Sequence, residues 1–271
     1  MKRITVSIIL FFAFENIVFC QIVSKDSLNL LFIKAPSFTI FQDNYFLTGI
    51  SLNEKISNNS SDAKFQISFK QRLTNTNLPF NTYAFLTYTQ KSFWDIYRNS
   101  SPFKENNYNP AIGIGKFFIR KNNCLNFIAI TFEHESNGRD SIDSRSWNRI
   151  CMDYKTFLSN RAYLFVKLWY PFDYKYDNPD LINYVGYGEV SYNQKFINDK
   201  IIFDLTLRKG ASWDNKGAFN SQIAFRLSKN ANQYLSINYY YGYAENLINY
   251  KVKTQMIRFG IVIKPSKFNL Y

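Results

Sequence analysis

One histidine stands among 271 residues, with three cysteines, three methionines, seven prolines and ten glycines. A single histidine rules out a multi-histidine metal centre. Three cysteines cannot make a disulfide-dense scaffold. No Gly/Ser- or Pro-rich stretch marks a linker, and the pattern does not change in kind along the chain, so it reads as one domain. Beyond residue 20 no apolar run approaches the ~18 residues that a membrane helix needs. There is no Gly-x-Ser-x-Gly elbow, which disfavours a soluble lipase-type fold.

What is abundant is aromatic. Phe contributes 27 residues and Tyr 20. Mean hydropathy is nevertheless −0.27. The combination suits a membrane barrel, in which half of each strand faces away from lipid and aromatics form interfacial girdles. Net charge is +13. The Lys and Arg residues form no single run, so a nucleic-acid partner is not expected, and attraction to anionic headgroups is the more natural reading.

Residues 1–20 read as a cleaved signal peptide: Met1-Lys2-Arg3, an apolar run from Ile4 to Phe14, and a cleavage site at Val18-Phe19-Cys20. Phe19 is too bulky for a lipid-attachment signal at Cys20. Residues 21–43 form a lead-in, partly strand, and 44–271 the barrel. Period-two alternation predicts about twelve strands: 44–52, 63–73, 82–93, 108–119, 124–135, 146–158, 161–170, 183–194, 200–208, 217–227, 233–242 and 254–264. In the second, Phe65, Ile67 and Phe69 oppose Gln66, Ser68 and Lys70. In the last, Ile257, Phe259 and Ile261 oppose Met256, Arg258 and Gly260. Short connections alternate with long polar ones, as in a transmembrane antiparallel β-barrel with periplasmic turns and extracellular loops. An aromatic-terminated tail, Lys267–Tyr271, is of the kind barrels present for assembly. These features place the chain in a bacterial outer membrane.

The same parity count locates the chemistry. His134 and Ser136 share a face with Ile130 and Phe132. Asn148, on the neighbouring strand, shares a face with Ile150 and Met152. All three polar residues therefore face lipid near the outer rim, while Glu133, Arg149 and Asp153 face inward. Polar groups on a lipid face are costly without partners. Two readings are open here. One is nucleophilic catalysis, in which Ser136 attacks, His134 takes its proton and Asn148 orients the ring without adding charge beside hydrocarbon. The other is a satisfied polar rim of the kind that hydrophilic barrel loops ordinarily make. Cys124 and Cys151 have opposite parity and lie roughly 23 Å apart at ~3.3 Å per residue, so both read as reduced fillers. A porin or adhesin without enzymatic activity and a soluble exported β-protein are the alternatives.

His134-Glu-Ser-Asn-Gly-Arg and Ser144-Arg-Ser-Trp-Asn-Arg149 resemble the signature of the bacterial outer-membrane phospholipase A family, as do Tyr88–Trp94 and Ser100–Pro110 upstream. The resemblance covers about 88–149 in the correct order. It implies a twelve-stranded barrel that hydrolyses acyl esters of phospholipids and lysophospholipids, depends on calcium and is activated as a homodimer. Carried over by position, Ser136 is the nucleophile, His134 the base and Asn148 the orienting residue, and the Gly138 amide helps hold the oxyanion. Calcium would be held by Ser144, the carbonyl of Arg139 and the carbonyl of Ser100 of the partner subunit, oxygen ligands of the kind calcium takes. Gln90 matches a polar position of the dimer interface. The family has an acidic residue where Ser141 stands, with Asp140 or Asp143 as possible substitutes. Phe93 and Asp95, also departures, read as surface positions.

Overall fold

The computed structural model describes Leu28 and residues 35–74, 78–120, 124–229 and 231–265. The expected signal peptide, residues 1–20, and the C-terminal tail from Lys267 lie outside the described residues.

Thirteen strands form one antiparallel sheet that closes on itself: β1 (Phe38–Ile40), β2 (Asn44–Ser51), β3 (Ser61–Arg72), β4 (Tyr83–Trp94), β5 (Phe103–Ile119), β6 (Leu125–Ser136), β7 (Ser146–Ser159), β8 (Ala162–Phe172), β9 (Gly188–Phe196), β10 (Ile201–Lys209), β11 (Gly217–Arg226), β12 (Gln233–Gly242) and β13 (Thr254–Ile263). Each strand from β2 onward pairs with its successor, and β13 returns to β2. The result is a twelve-stranded barrel. The short β1 adds pairing to the lower part of β3. Closure leaves no free edge, the condition for crossing a bilayer with strands. At the seam the backbones approach closely: a Cβ on Gly49 would lie 1.9 Å from the Ile257 carbonyl oxygen, and one on Gly260 2.0 Å from that of Phe46. Only glycine fits either place.

Alternation sorts the two faces as the residue pattern requires. On β6, Ile130 and Phe132 are about half exposed on the outer wall, while Ala129, Thr131 and Glu133 are buried inside. Buried charges are costly unless paired, and the lumen pairs them. Arg258 bridges Asp62 at 2.7 Å and Glu245 at 2.7 Å, and Lys64 joins Glu245 at 3.0 Å. Lys264 meets Asp43 and Asp204 at 2.7 and 2.6 Å. Glu133 holds Arg149 at 2.8 Å and also Lys167. A cavity of about 660 Å³ opens in the lumen, lined by Asp43, Lys64, Asp204, Glu245 and Lys264 of these clusters and by apolar side chains such as Phe127 and Leu205.

The long connections fold back over the mouth. The loop after β8 carries one helical turn, Ile182–Val185. Leu181, Ile182 and Val185 pack with Leu247 and Tyr250 on Trp147, Trp169 and Cys151. A hydrogen bond from the Tyr250 hydroxyl and an ion pair with Lys251 at 2.9 Å tie down Asp180. Burial works against that carboxylate, but these donors hold it below its usual range. The loop that overlies the rim of β7 is thus anchored by apolar packing and by one fixed carboxylate.

Three sequence expectations are corrected. Cys124 is disulfide-bonded rather than reduced, whereas Cys151 is a free buried thiol. Phe93 and Asp95 are buried, not surface, positions. The strand expected from residue 183 begins at Gly188, because the helical turn occupies 182–185.

Candidate active site

His134 and Asn148 are direct cross-strand partners of β6 and β7, two positions from the paired Ser136 and Ser146. His134 Nδ1 and Asn148 Oδ1 are 2.9 Å apart. Since an amide oxygen only accepts, Nδ1 carries the proton of this bond and Nε2 is left as an acceptor. The backbone is braced from β5, where the Asn109 amide donates to the His134 carbonyl at 2.7 Å. Ser136 follows His134 on the same outer face, half-buried. Among the described residues its hydroxyl makes no hydrogen bond, and such contacts commonly tighten only when substrate is bound. The side chains that face the other way fix the two strands beneath the site: Arg149 bridges Glu133 and Glu135, and Trp147 Nε1 donates to Glu135 at 3.1 Å.

The loop between β6 and β7 is organised by Asn137, which is buried. Its side-chain oxygen accepts from the amides of Arg139 and Arg145, and its amide donates to the Asp143 carbonyl at 2.8 Å. Gly138 turns there with φ +65°, and a Cβ would press within 3.0 Å of the Tyr108 ring. Left-handed backbone and a close ring together call for glycine. Among the described residues the Gly138 N–H donates to no acceptor, and the carbonyls of Arg139 and Ser100 accept no hydrogen bond. These are the backbone groups that sequence assigned to the oxyanion and to calcium. The Arg139 side chain is occupied elsewhere, by Glu105 at 3.4 Å and by the Lys104 carbonyl.

The acidic group beside Ser144 is neither Asp140 nor Asp143. It is Asp177, from the loop after β8, whose Oδ2 accepts from Ser144 Oγ at 3.0 Å and from Ser146 Oγ at 2.9 Å. Its neighbour Asn178 is fully buried and accepts from the Ser146 amide at 3.1 Å. Asp143 instead leans toward Arg139, 3.9 Å away. Sequence reading missed Asp177 because it lies 33 residues from Ser144; the only local sign was the Asp177-Asn178-Pro179-Asp180 run in a long loop. No cluster of three His, Cys, Asp or Glu groups occurs among the described residues. The Ser144 hydroxyl and the Asp177 carboxylate, in hydrogen-bond contact, are oxygen donors of the kind a hard cation takes. Gln90 lies on the outer face of β4 in a polar strip, accepting from Tyr88 and donating to Ser92.

Comparison with known proteins gives the arrangement its context. The family model described as Phospholipase A1 matches residues 37–263. The Phospholipase A1 of Klebsiella pneumoniae is 30% identical over 208 residues, covering 74% of this chain and 70% of that protein. The Escherichia coli K12 Phospholipase A1 is 29% identical over 208 residues, covering 74% and 69%. Among solved structures, the Salmonella typhi outer membrane phospholipase, a dimer with bound calcium, has a TM-score of 0.76 at 25% identity and covers 89% of this chain and 99% of that one. The outer membrane phospholipase A of Escherichia coli shares the fold, with a TM-score of 0.75 at 24% identity over 84% and 99%. A closed barrel of twelve strands, matched by one family model over nearly all its described length, makes this chain a member of the phospholipase A1 family and a phospholipase of the bacterial outer membrane.

Proposed function

We propose that the protein hydrolyses acyl ester bonds of phospholipids and lysophospholipids with a Ser136–His134–Asn148 triad, and that calcium and dimerisation activate it. The hydrogen bond between His134 and Asn148, on the outer wall beside Ser136, carries this reading. Ser136 Oγ attacks the ester carbonyl as His134 Nε2 takes its proton. His134 then passes that proton to the departing alcohol oxygen, leaving an acyl group on Ser136. Water, deprotonated by the same nitrogen, releases the fatty acid and restores the serine. The Gly138 N–H is the donor for the oxyanion. The site needs no path through the barrel, because its substrate lies against the wall that carries it.

Ser144, the carbonyl of Arg139 and the carbonyl of Ser100 of the partner subunit would hold calcium, with the Asp177 carboxylate adding negative charge beside Ser144. When bound, calcium supplies positive charge near the developing oxyanion. The calcium-bound dimer of the Salmonella typhi relative supports both halves of this proposal. Gln90, on the lipid face, is the dimer contact. The porin alternative is disfavoured by the apolar stopper at the mouth and by the ion clusters crossing the lumen.

Fatty-acid release from phospholipid micelles, with calcium and with excess chelator, tests the proposal. Release that stops on chelation and returns with added calcium is expected. A rate indifferent to calcium would remove the metal, and no release in either condition would remove the hydrolytic reading.

A further inference from the structure

The Asn148 amide has a second neighbour. Its Nδ2 donates to Asp173 Oδ2 at 3.2 Å, opposite the 2.9 Å contact between its Oδ1 and His134 Nδ1. Asp173 is the first residue after β8, and the last residue of β8, Phe172, is the cross-strand partner of Asn148. The chain turns at Asp173 with φ +52°, a left-handed conformation that aspartate tolerates better than most residues. That turn brings the carboxylate back over the Asn148 amide.

A carboxylate can only accept hydrogen bonds, so only the NH₂ end of Asn148 can face it. The oxygen is then directed at His134. This matters because the two ends of an amide have nearly the same shape. With the amide reversed, NH₂ would face Nδ1, and only the tautomer protonated at Nε2 could receive it. That tautomer cannot take a proton from a serine hydroxyl. The exposed position of Asp173 screens its charge from the ring, which leaves orientation as its contribution.

We propose that Asp173 is a positioning residue of the hydrolytic site: it locks the Asn148 amide in the one orientation that leaves His134 Nε2 free to act as a base. The proposal rests on the triad reading above, and its test has a readout that does not depend on activity. His134 is the only histidine in the chain. Full-length protein labelled with ¹⁵N-histidine, prepared in detergent micelles without a polyhistidine tag, therefore reports a single imidazole. At a pH where histidine is neutral, the wild type should show the Nδ1–H tautomer. Asp173→Ala should populate the Nε2–H tautomer and lower kcat by about 3- to 10-fold, the effect of one orienting hydrogen bond, with KM little changed. Asp173→Asn keeps an acceptor oxygen and should recover most of the tautomer and of kcat. Heat-modifiable migration checks that each variant remains a closed barrel. An unchanged tautomer and unchanged kcat in Asp173→Ala would overturn the proposal, as would an Asp173→Asn protein no better than Asp173→Ala. If Ser136→Ala stays active, the triad reading fails, while the tautomer still reports whether Asp173 orders the amide.

Discussion

His134 and Asn148 sit opposite each other on adjacent strands, with Nδ1 and Oδ1 2.9 Å apart on the lipid-facing wall. In the proposed triad, neutral asparagine takes the place that a carboxylate has elsewhere, holding the ring and its tautomer. Asn148→Ala should lower kcat for ester hydrolysis by about 10- to 100-fold, less than the roughly 10²- to 10⁴-fold worth of a general base because the imidazole stays in place, with the barrel intact. Steady-state kinetics on a short-chain ester would check this, and a wild-type kcat would detach Asn148 from the chemistry.

Asp177 is bound to two serine hydroxyls, one of them a proposed calcium ligand. Asp177→Asn keeps the shape and removes the charge. The calcium concentration for half-maximal activity should rise about tenfold or more, as loss of a supporting carboxylate does elsewhere, with kcat at saturating calcium largely retained. A calcium titration of fatty-acid release measures both, and an unmoved midpoint would exclude Asp177 from calcium binding.

Glu245, on the loop after β12, joins Arg258 and Lys64 inside the barrel. Glu245→Gln removes the carboxylate paired with buried Lys64 and leaves Arg258 with Asp62 alone, and breaking such a cluster costs roughly 3–5 kcal/mol. Urea unfolding of the barrel in detergent should show that loss, while the rate per folded molecule stays near wild type. An unchanged midpoint would mean that the lumenal cluster adds no stability.

The same group sets an acid limit. Burial works to raise the Glu245 carboxyl, but the Arg258 and Lys64 charges outweigh it and hold the value down at about 2, from an ordinary 4.5. A depressed carboxyl stabilises the folded state above its unfolded value, and the gain is lost as pH falls through the folded one. This contribution is therefore complete above about 4.5 and fades toward 2. Unfolding midpoints measured across that window should fall in the wild type and fall less in Glu245→Gln. Parallel slopes would contradict the assignment.

How much of this was legible follows from what is local. Alternation located the twelve strands to within a few residues, because inside and outside impose opposite chemistry at every second position. It also put His134, Ser136 and Asn148 on one face, and His134 and Asn148 are indeed cross-strand partners. It failed where the chain stops alternating for a reason other than a strand end, as at the helical turn 182–185. Asp173 and Asp177 were beyond its reach. They come to the site from another loop, and only the register of β7 with β8 and the packing of Leu181, Ile182 and Val185 bring them there. The burial of Phe93 follows from the inward parity it shares with Tyr83, Phe85, Thr87 and Thr89 on β4, where it packs under Lys64. Asp95, by contrast, lies just past the strand end, where alternation no longer applies, and is paired with Arg98 at 3.1 Å.

Ser136→Ala tests the central claim most directly. Purified variant and wild type, both verified as closed barrels by heat-modifiable migration, are compared for fatty-acid release from phospholipid micelles in calcium. Loss of the nucleophile should reduce release by at least about 10³-fold with folding unchanged. A folded Ser136→Ala protein that released fatty acid at the wild-type rate would contradict the account.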